Sequence, residues 1–274
     1  MDTKVAIVTG GNKGIGFEIV KGLCLKYDGV VYLTARNAER GLNAIKKLQE
    51  LGFKPLFHLL DVTDERSIEE FAAYISKNHS GIDVLVNNAG VLDFDKCVSS
   101  YEDSKKLIDT NFMSLLSISK ILYPLLKNNS RVINLSSDWG LLSNIRKQVW
   151  LDTLVKDDLT VDEILQFVND FLESAKNGKT SFLTFAGHYG DYKVSKVAMS
   201  ALTFVQQRQF TEQGKDISVN CVHPGFVMTD MTKGMGDFTP ERGASAPLYL
   251  ALDAPQTLKG TFLWHDCHQV NWDD

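Results

Sequence analysis

Long apolar runs are missing from this chain of 274 residues, and so is any extended block of Lys and Arg. The first absence excludes a membrane-spanning helix, which needs about 20 consecutive apolar residues. The apolar stretch near the start already breaks at glycines by position 10, too short for a signal-peptide core. The second absence, together with a net charge of −5, argues against nucleic acid as a partner, because nothing would neutralise a phosphate backbone. Cysteine is sparse: Cys24, Cys97, Cys221 and Cys267 stand far apart, without a Cys-x-x-Cys pair. That fits reduced thiols better than a disulfide frame or a zinc site, so a cytoplasmic protein without a metal is expected. There is no internal repeat and no low-complexity linker. What the chain does have is 44% hydrophobic and 23% charged residues, which suits one α/β domain over 1–274 with an ample core.

Short β-branched runs alternate with helix-length amphipathic segments. Lys4 to Thr9, Val30 to Ala35, Pro55 to Leu60, Val84 to Asn87, Val132 to Leu135 and Ile217 to Val222 read as strands, apolar enough to be buried on both faces. Glu39 to Leu51, stopped by Gly52, and Ile68 to Lys77 read as helices. The alternation predicts a parallel sheet wrapped by helices, a Rossmann-type doubly wound α/β fold. One stretch, about 138–188, is far longer than a βα loop. Within it Thr160-Val-Asp-Glu163 forms a capping box, followed by a stripe of Val161, Ile164, Leu165, Val168, Phe171 and Leu172 that ends at Gly178. The stripe predicts an inserted helix folded back on its own domain.

The run Gly10-Gly11-Asn12-Lys13-Gly14-Ile15-Gly16 follows the first strand and opens the first helix. Glycines there permit a tight turn and close backbone approach to a pyrophosphate, and the helix N-terminus supplies N–H groups and positive potential. An NAD site carries an acid at the end of the second strand to hold the ribose 2′-hydroxyl. Here the strand ends Thr34-Ala35-Arg36, and Arg36 with Lys13 offers positive charge for a 2′-phosphate, so NADP(H) is the expected cofactor.

Tyr192 and Lys196 are four apart at the start of a helical segment and so share a face. A nearby ammonium favours phenolate and brings a phenol closer to working pH as an acid–base group. Tyr189 and Lys193 have the same spacing, and spacing alone leaves both pairs open.

Taken with Asp61-Val62, Asn87-Asn88-Ala89-Gly90, Asn111, Asn134-Leu-Ser-Ser137 and Pro224-Gly225, these motifs stand in an order and spacing that resembles the short-chain dehydrogenase/reductases over nearly the whole chain. More narrowly, the glycine run, Leu33-Thr-Ala-Arg36, Asp83 to Gly90 and the long insertion are similar to the monomeric NADPH-dependent carbonyl reductases of animals. Plant salutaridine- and menthone-type reductases share the insertion. The resemblance implies that Tyr192 is the acid, that Lys196 lowers its pKa and holds the ribose, that Ser137 orients the substrate carbonyl, and that Asn111 heads a water relay. It also selects Tyr192 over Tyr189 and Ser137 over Ser136. By the same resemblance, Asp61 and Val62 border adenine, Asn87, Ala89 and Gly90 line the cofactor, and Pro224, Gly225, Val227 and Thr229 meet the nicotinamide end. It implies a monomer whose inserted helix covers the surface that most relatives use to oligomerise.

The substrate is expected above the carboxyl ends of the strands, with Trp139, Trp150, Phe226, Met228, Met231 and Met235 as candidate walls. A small-molecule carbonyl compound is the expected partner, an apolar ketone, aldehyde or quinone. A dedicated enzyme for one steroid, terpenoid or prostanoid, and an idle NADP-binding regulator, are the alternatives. His223 departs from the cysteine expected before Pro224. Trp264-His265-Asp266-Cys267-His268 departs from the expected tail, and its spacing raises a metal site only weakly.

Overall fold

The structure is a computed structural model describing residues 3–177 and 188–273. Among these residues one sheet has eight strands in the order β3-β2-β1-β4-β5-β6-β7-β8. The strands are β1 Val5–Val8, β2 Val30–Ala35, β3 Leu56–Leu59, β4 Ile82–Asn87, β5 Leu126–Leu135, β6 Ser218–Val222, β7 Phe262–Leu263 and β8 Gln269–Val270. Pairing is parallel from β3 across to β7, and β8 closes the edge antiparallel to β7. Strand order reverses between β1 and β4, which opens a crevice at their carboxyl ends.

Along β1 side chains alternate between the two faces. Ala6 and Val8 join the core beneath α1 (Gly14–Lys26) and α2 (Ala38–Glu50), whereas Val5 and Ile7 face α3 (Glu65–Asn78) and α5 (Ser114–Leu122). The expected burial of every strand on both faces holds for β1 and β6 but not for β3, where Leu56 and Leu59 are exposed. β3 is the sheet's edge, paired with β2 alone, so its outer side meets solvent. β4 and β5 start earlier than their apolar cores suggest. β7 and β8, two residues each, are too short to leave a periodic signal and were missed in the sequence.

The insertion carries α6 (Gln148–Leu154) and α7 (Val161–Lys176). The Thr160 side chain accepts the Glu163 N–H while Glu163 accepts the Thr160 N–H, so the capping box is present. Ile164, Phe167, Val168 and Phe171 are buried in one core with residues of α4 (Tyr101–Ile108) and α8 (Gly190–Glu212), as expected for a helix folded back on its own domain. Helix α7 ends at Lys176 with Asn177 as its cap; the predicted stop, Gly178, lies outside the described residues. Held between the sheet and this cover, α8 buries polar side chains that bond inward, such as Gln207, which accepts the Val219 N–H at 2.7 Å.

Candidate active site

The glycine turn is shaped by left-handed backbone at Gly10 (φ +63°) and Gly14 (φ +55°), a region that side chains disfavour. A Cβ on Gly16 would lie 2.4 Å from Asn88 Nδ2 and 2.6 Å from the Gly10 carbonyl. That space is needed because Asn88 Nδ2 donates to the carbonyls of Thr9 (2.8 Å) and Gly10 (3.1 Å), tying the end of β4 to the turn. Lys13 gives α1 no side-chain cap, so the N–H groups of its first turn are open to an anion.

From this turn a cavity of about 400 Å³ runs in both directions. At one end stand Arg36, Arg40, Asp61 and Val62; past Asn12, Lys13, Gly14, Ile15 and Gly16 it continues along Ala89 and Gly90 to Pro224, Thr229, Tyr192 and Lys196. Gly14 faces Thr229 so closely that a Cβ would come within 3.3 Å of the threonine methyl. A cradle with cations at one end, open helix N–H groups in its middle and acid–base groups at the other fits an NADP-type dinucleotide. Lys13 is already paired with Asp230 at 2.8 Å, but both side chains are exposed and such a pair is weak. The Asp61 carboxylate accepts from the N–H and hydroxyl of Thr63, which shapes the turn beside the cavity. Asn87, Gly225 and Val227 do not wall it. Asn87 donates to Asn134 Oδ1 at 2.8 Å inside the sheet, Gly225 turns at φ +89° beneath Phe238, and Val227 is buried.

Tyr192 and Lys196 lie on one face of α8, with the Lys196 Nζ 5.4 Å from the centre of the Tyr192 ring. Lys196 donates to the Leu135 carbonyl at 2.6 Å. The electrostatics differ from the simple expectation of an ammonium pulling the phenol down. Burial pushes Lys196 down to about 7. Burial also drives the Tyr192 phenol above its usual range, Asp138 adds to that rise, and the neighbouring Ser137 hydroxyl opposes it. In the protein alone desolvation outweighs the mutual attraction, so Tyr192 is held as the proton-bearing phenol.

Asn111 is fully buried in a π-helical turn, Asp109–Met113. Its amide accepts the Val91 N–H at 2.8 Å and donates to the Val91 carbonyl at 2.9 Å and to Ser195 Oγ at 3.3 Å, pinning the loop after β4 to α8. Single π turns of this kind recur at functional sites. The two serines after β5 diverge as strand alternation requires. Ser136 Oγ meets Ser200 Oγ at 2.8 Å, whereas Ser137 Oγ donates to Asp138 Oδ1 at 2.7 Å.

Beside the cavity, and outside its lining, Trp139 meets Tyr192 edge to face at 5.7 Å and stacks on Tyr189 at 5.3 Å. Tyr189 stacks on Phe94 at 5.4 Å, and Phe94 on Phe226 at 6.2 Å. Tyr189 therefore belongs to an aromatic stack: its hydroxyl donates to the Phe94 carbonyl at 2.9 Å and its backbone takes a left-handed turn at φ +54° before α8. Phe226, Met228 and Met235 are 42%, 37% and 47% exposed, and Met231 lines the cavity. Trp150 is not a wall. It is buried in the insertion, edge to face with Phe167, with its indole N–H on Asp170 at 3.1 Å, because the insertion needs a large side chain for its own core. Phe94, Arg40 and Asp138 escaped the sequence reading; Phe94 sits in an irregular loop, and Arg40 and Asp138 follow motifs without belonging to them.

His223 is a packed side chain, its ring 4.3 Å from that of Trp264 and its Nδ1 accepting the Asp138 N–H at 2.9 Å. The Trp264 to His268 tract is the turn joining β7 and β8, with the Trp264 N–H on the His268 carbonyl at 2.9 Å. Among the described residues no three His, Cys, Asp or Glu side chains gather to hold a metal.

Residues 4–150 match the family model described as short chain dehydrogenase. The chain is 38% identical to carbonyl reductase [NADPH] 1 of Sus scrofa over 255 residues, covering 92% of this chain and 88% of that protein. It is also 38% identical to carbonyl reductase [NADPH] 3 of Mus musculus, over 258 residues and 92% of both chains. In three dimensions it is similar to salutaridine reductase from Papaver somniferum, with a TM-score of 0.85, 32% identity, and coverage of 96% of this chain and 100% of that one.

Proposed function

The chain belongs to the short-chain dehydrogenase family, and on that premise we propose that it is an NADPH-dependent carbonyl reductase, turning ketones, aldehydes or quinones into alcohols. The observation that carries this reading is one cavity with Arg36 and Arg40 at one end and Tyr192 and Lys196 at the other. NADPH, when bound, supplies the hydride. The Arg36 and Arg40 guanidinium groups would hold the 2′-phosphate, and the N–H groups of the glycine turn would hold the pyrophosphate. Tyr192 gives its phenolic proton to the carbonyl oxygen as that oxygen gains negative charge. Ser137 offers its hydroxyl to the same oxygen. Lys196 in its charged form steadies the phenolate left behind, and Asn111 holds the Val91 loop against α8 and heads the path by which the proton is replaced.

The reading is tested by following NADPH oxidation with a panel of quinones, diketones, aromatic aldehydes and steroid ketones, beside NADH and Tyr192→Phe. Turnover is expected with NADPH, with a loss of about 10²–10⁴-fold in the variant. Tight NADPH binding without turnover on any member of the panel would sink it.

The reading extends to one Rossmann-type domain over 1–274, with the insertion at about 138–188, acting as a monomer in the cytoplasm. In support of the monomer, α7 packs over α8, the helix carrying the Tyr192 motif, through which the resemblance expects most relatives to associate. In support of a reducing compartment, all four cysteines are free. Among the described residues no helix is long and apolar enough to cross a membrane. Light scattering at micromolar protein should return a mass near 30.6 kDa; twice that mass refutes the monomer.

A further inference from the structure

A carboxylate stands beside the reacting hydroxyls. Asp138 follows Ser137 at the start of the tight turn Asp138–Gly140 beyond β5, where two bonds hold Asp138 and a third holds Ser137. Its Oδ1 accepts the Ser137 O–H at 2.7 Å, its backbone N–H donates to His223 Nδ1 at 2.9 Å, and Ser137 Oγ in turn accepts the Trp139 N–H at 3.2 Å. Because Nδ1 of His223 is an acceptor, that ring is the neutral tautomer with its proton on Nε2. The Asp138 side chain is 46% exposed and so reachable from solvent.

A serine hydroxyl has one proton. While Asp138 takes it, Ser137 offers its other neighbours only lone pairs. A phenol at Tyr192 is served by a lone pair, whereas a phenolate there, like a substrate carbonyl, needs the proton. We propose that Asp138 is a positioning residue of the reduction: it holds the Ser137 hydroxyl so that Tyr192 rests as the proton donor and a carbonyl must compete with a carboxylate for Ser137. This rests on the carbonyl reductase reading above.

The geometry also selects substrates. When Ser137 turns to the carbonyl, Asp138 loses its donor, and a hydroxyl or ammonium group next to the carbonyl replaces it. A carboxylate at that place meets a like charge instead. Ketones with an adjacent donor are therefore favoured and 2-oxo acids disfavoured. The charged and titratable groups that feel Asp138 are Tyr192 and Lys193 from α8, with Lys193 over the Trp139 ring at 5.3 Å, and His223, with His265 behind it, from the ends of β6 and β7. The Asp138 charge raises Tyr192, and it opposes the lowering of Lys193 and His223 by burial.

The test is Asp138→Asn, which keeps the size and the backbone N–H, with Asp138→Ser as a second variant, each checked for unchanged thermal unfolding. Reduction and alcohol oxidation are measured across pH for an aryl ketone, its α-hydroxy ketone and the matching 2-oxo acid. Loss of the charge is expected to move the basic limb of reduction, and the rising limb of oxidation, to lower pH by about half a unit or more. The kcat/KM ratio of 2-oxo acid to α-hydroxy ketone should rise about tenfold. Folded variants with wild-type pH limbs and wild-type substrate ratios overturn the inference while leaving the reductase reading intact. A wild type that reduces no carbonyl compound overturns both.

Discussion

Lys196 is where charge and burial conflict most strongly in the site. Its ammonium is almost wholly buried, with the Leu135 carbonyl as acceptor and no ion pair among the described residues, and burial takes its pKa from 10.5 to about 7. The stability consequence has a definite sign. At pH below about 7 both folded and unfolded chains carry the charge and the burial penalty is felt in full; between about 7 and 10.5 the unfolded chain binds more protons, so stability rises with pH. Tyr192 works in the opposite sense, since its raised pKa contributes stability that is complete below 10 and lost as pH rises beyond. Lys196→Met removes the first effect alone. Urea unfolding at about pH 6 and about pH 9.5 should show wild type gaining about 2 kcal/mol or more relative to the variant over that interval, whatever constant offset the lost Leu135 bond adds. A parallel pH dependence in the two proteins would refute the buried ammonium. Spacing made Tyr192 with Lys196 one of two legible pairs in the sequence and the family resemblance chose between them, whereas the sign of their electrostatics was not legible, because it depends on how completely α8 is covered by segments distant in the chain.

At the scale of elements the same contrast holds. The glycine turn, α2 and α7 were legible because their signals are local: a start, a period and a stop. Edge exposure of β3, the two-residue strands β7 and β8, and the burial of Trp150 depend on tertiary neighbours, and no local pattern announces them. Phe167 is the clearest example, fully buried and edge to face with Trp150 although it lies outside the stripe read from the sequence. Phe167→Ala should therefore cost about 3–5 kcal/mol in chemical unfolding, while the fraction still folded keeps its NADPH affinity, since α7 contributes no residue to the cavity wall. Thr160→Ala removes one half of the capping box and should cost about 1 kcal/mol. Equal costs for the two substitutions would mean that α7 is held by its cap rather than by its packed face.

The whole molecule is joined through the crevice at the strand reversal, because α1, the end of β2, the ends of β4 and β5, α8 and the loop after β6 all contribute to one cavity. A ligand that fills it must tie the two halves of the sheet together and raise the stability of the fold as a unit. At a concentration of about 100 times its dissociation constant the gain is about 2.7 kcal/mol. For a chain of this size that corresponds to an increase of about 5 °C in Tm. The exposed guanidinium groups of Arg36 and Arg40 make no ion pair among the described residues, so they meet a 2′-phosphate without first giving up a partner. NADPH should thus raise Tm well above the value reached with equal NADH, and the double variant Arg36→Ala, Arg40→Ala should lower the NADPH curve to the NADH one while leaving the unliganded Tm unchanged. If the double variant instead keeps its preference for NADPH, the 2′-phosphate must be read elsewhere, and Lys13, released from its surface pair with Asp230, is the remaining cation in the cavity wall near enough to the glycine turn to do so.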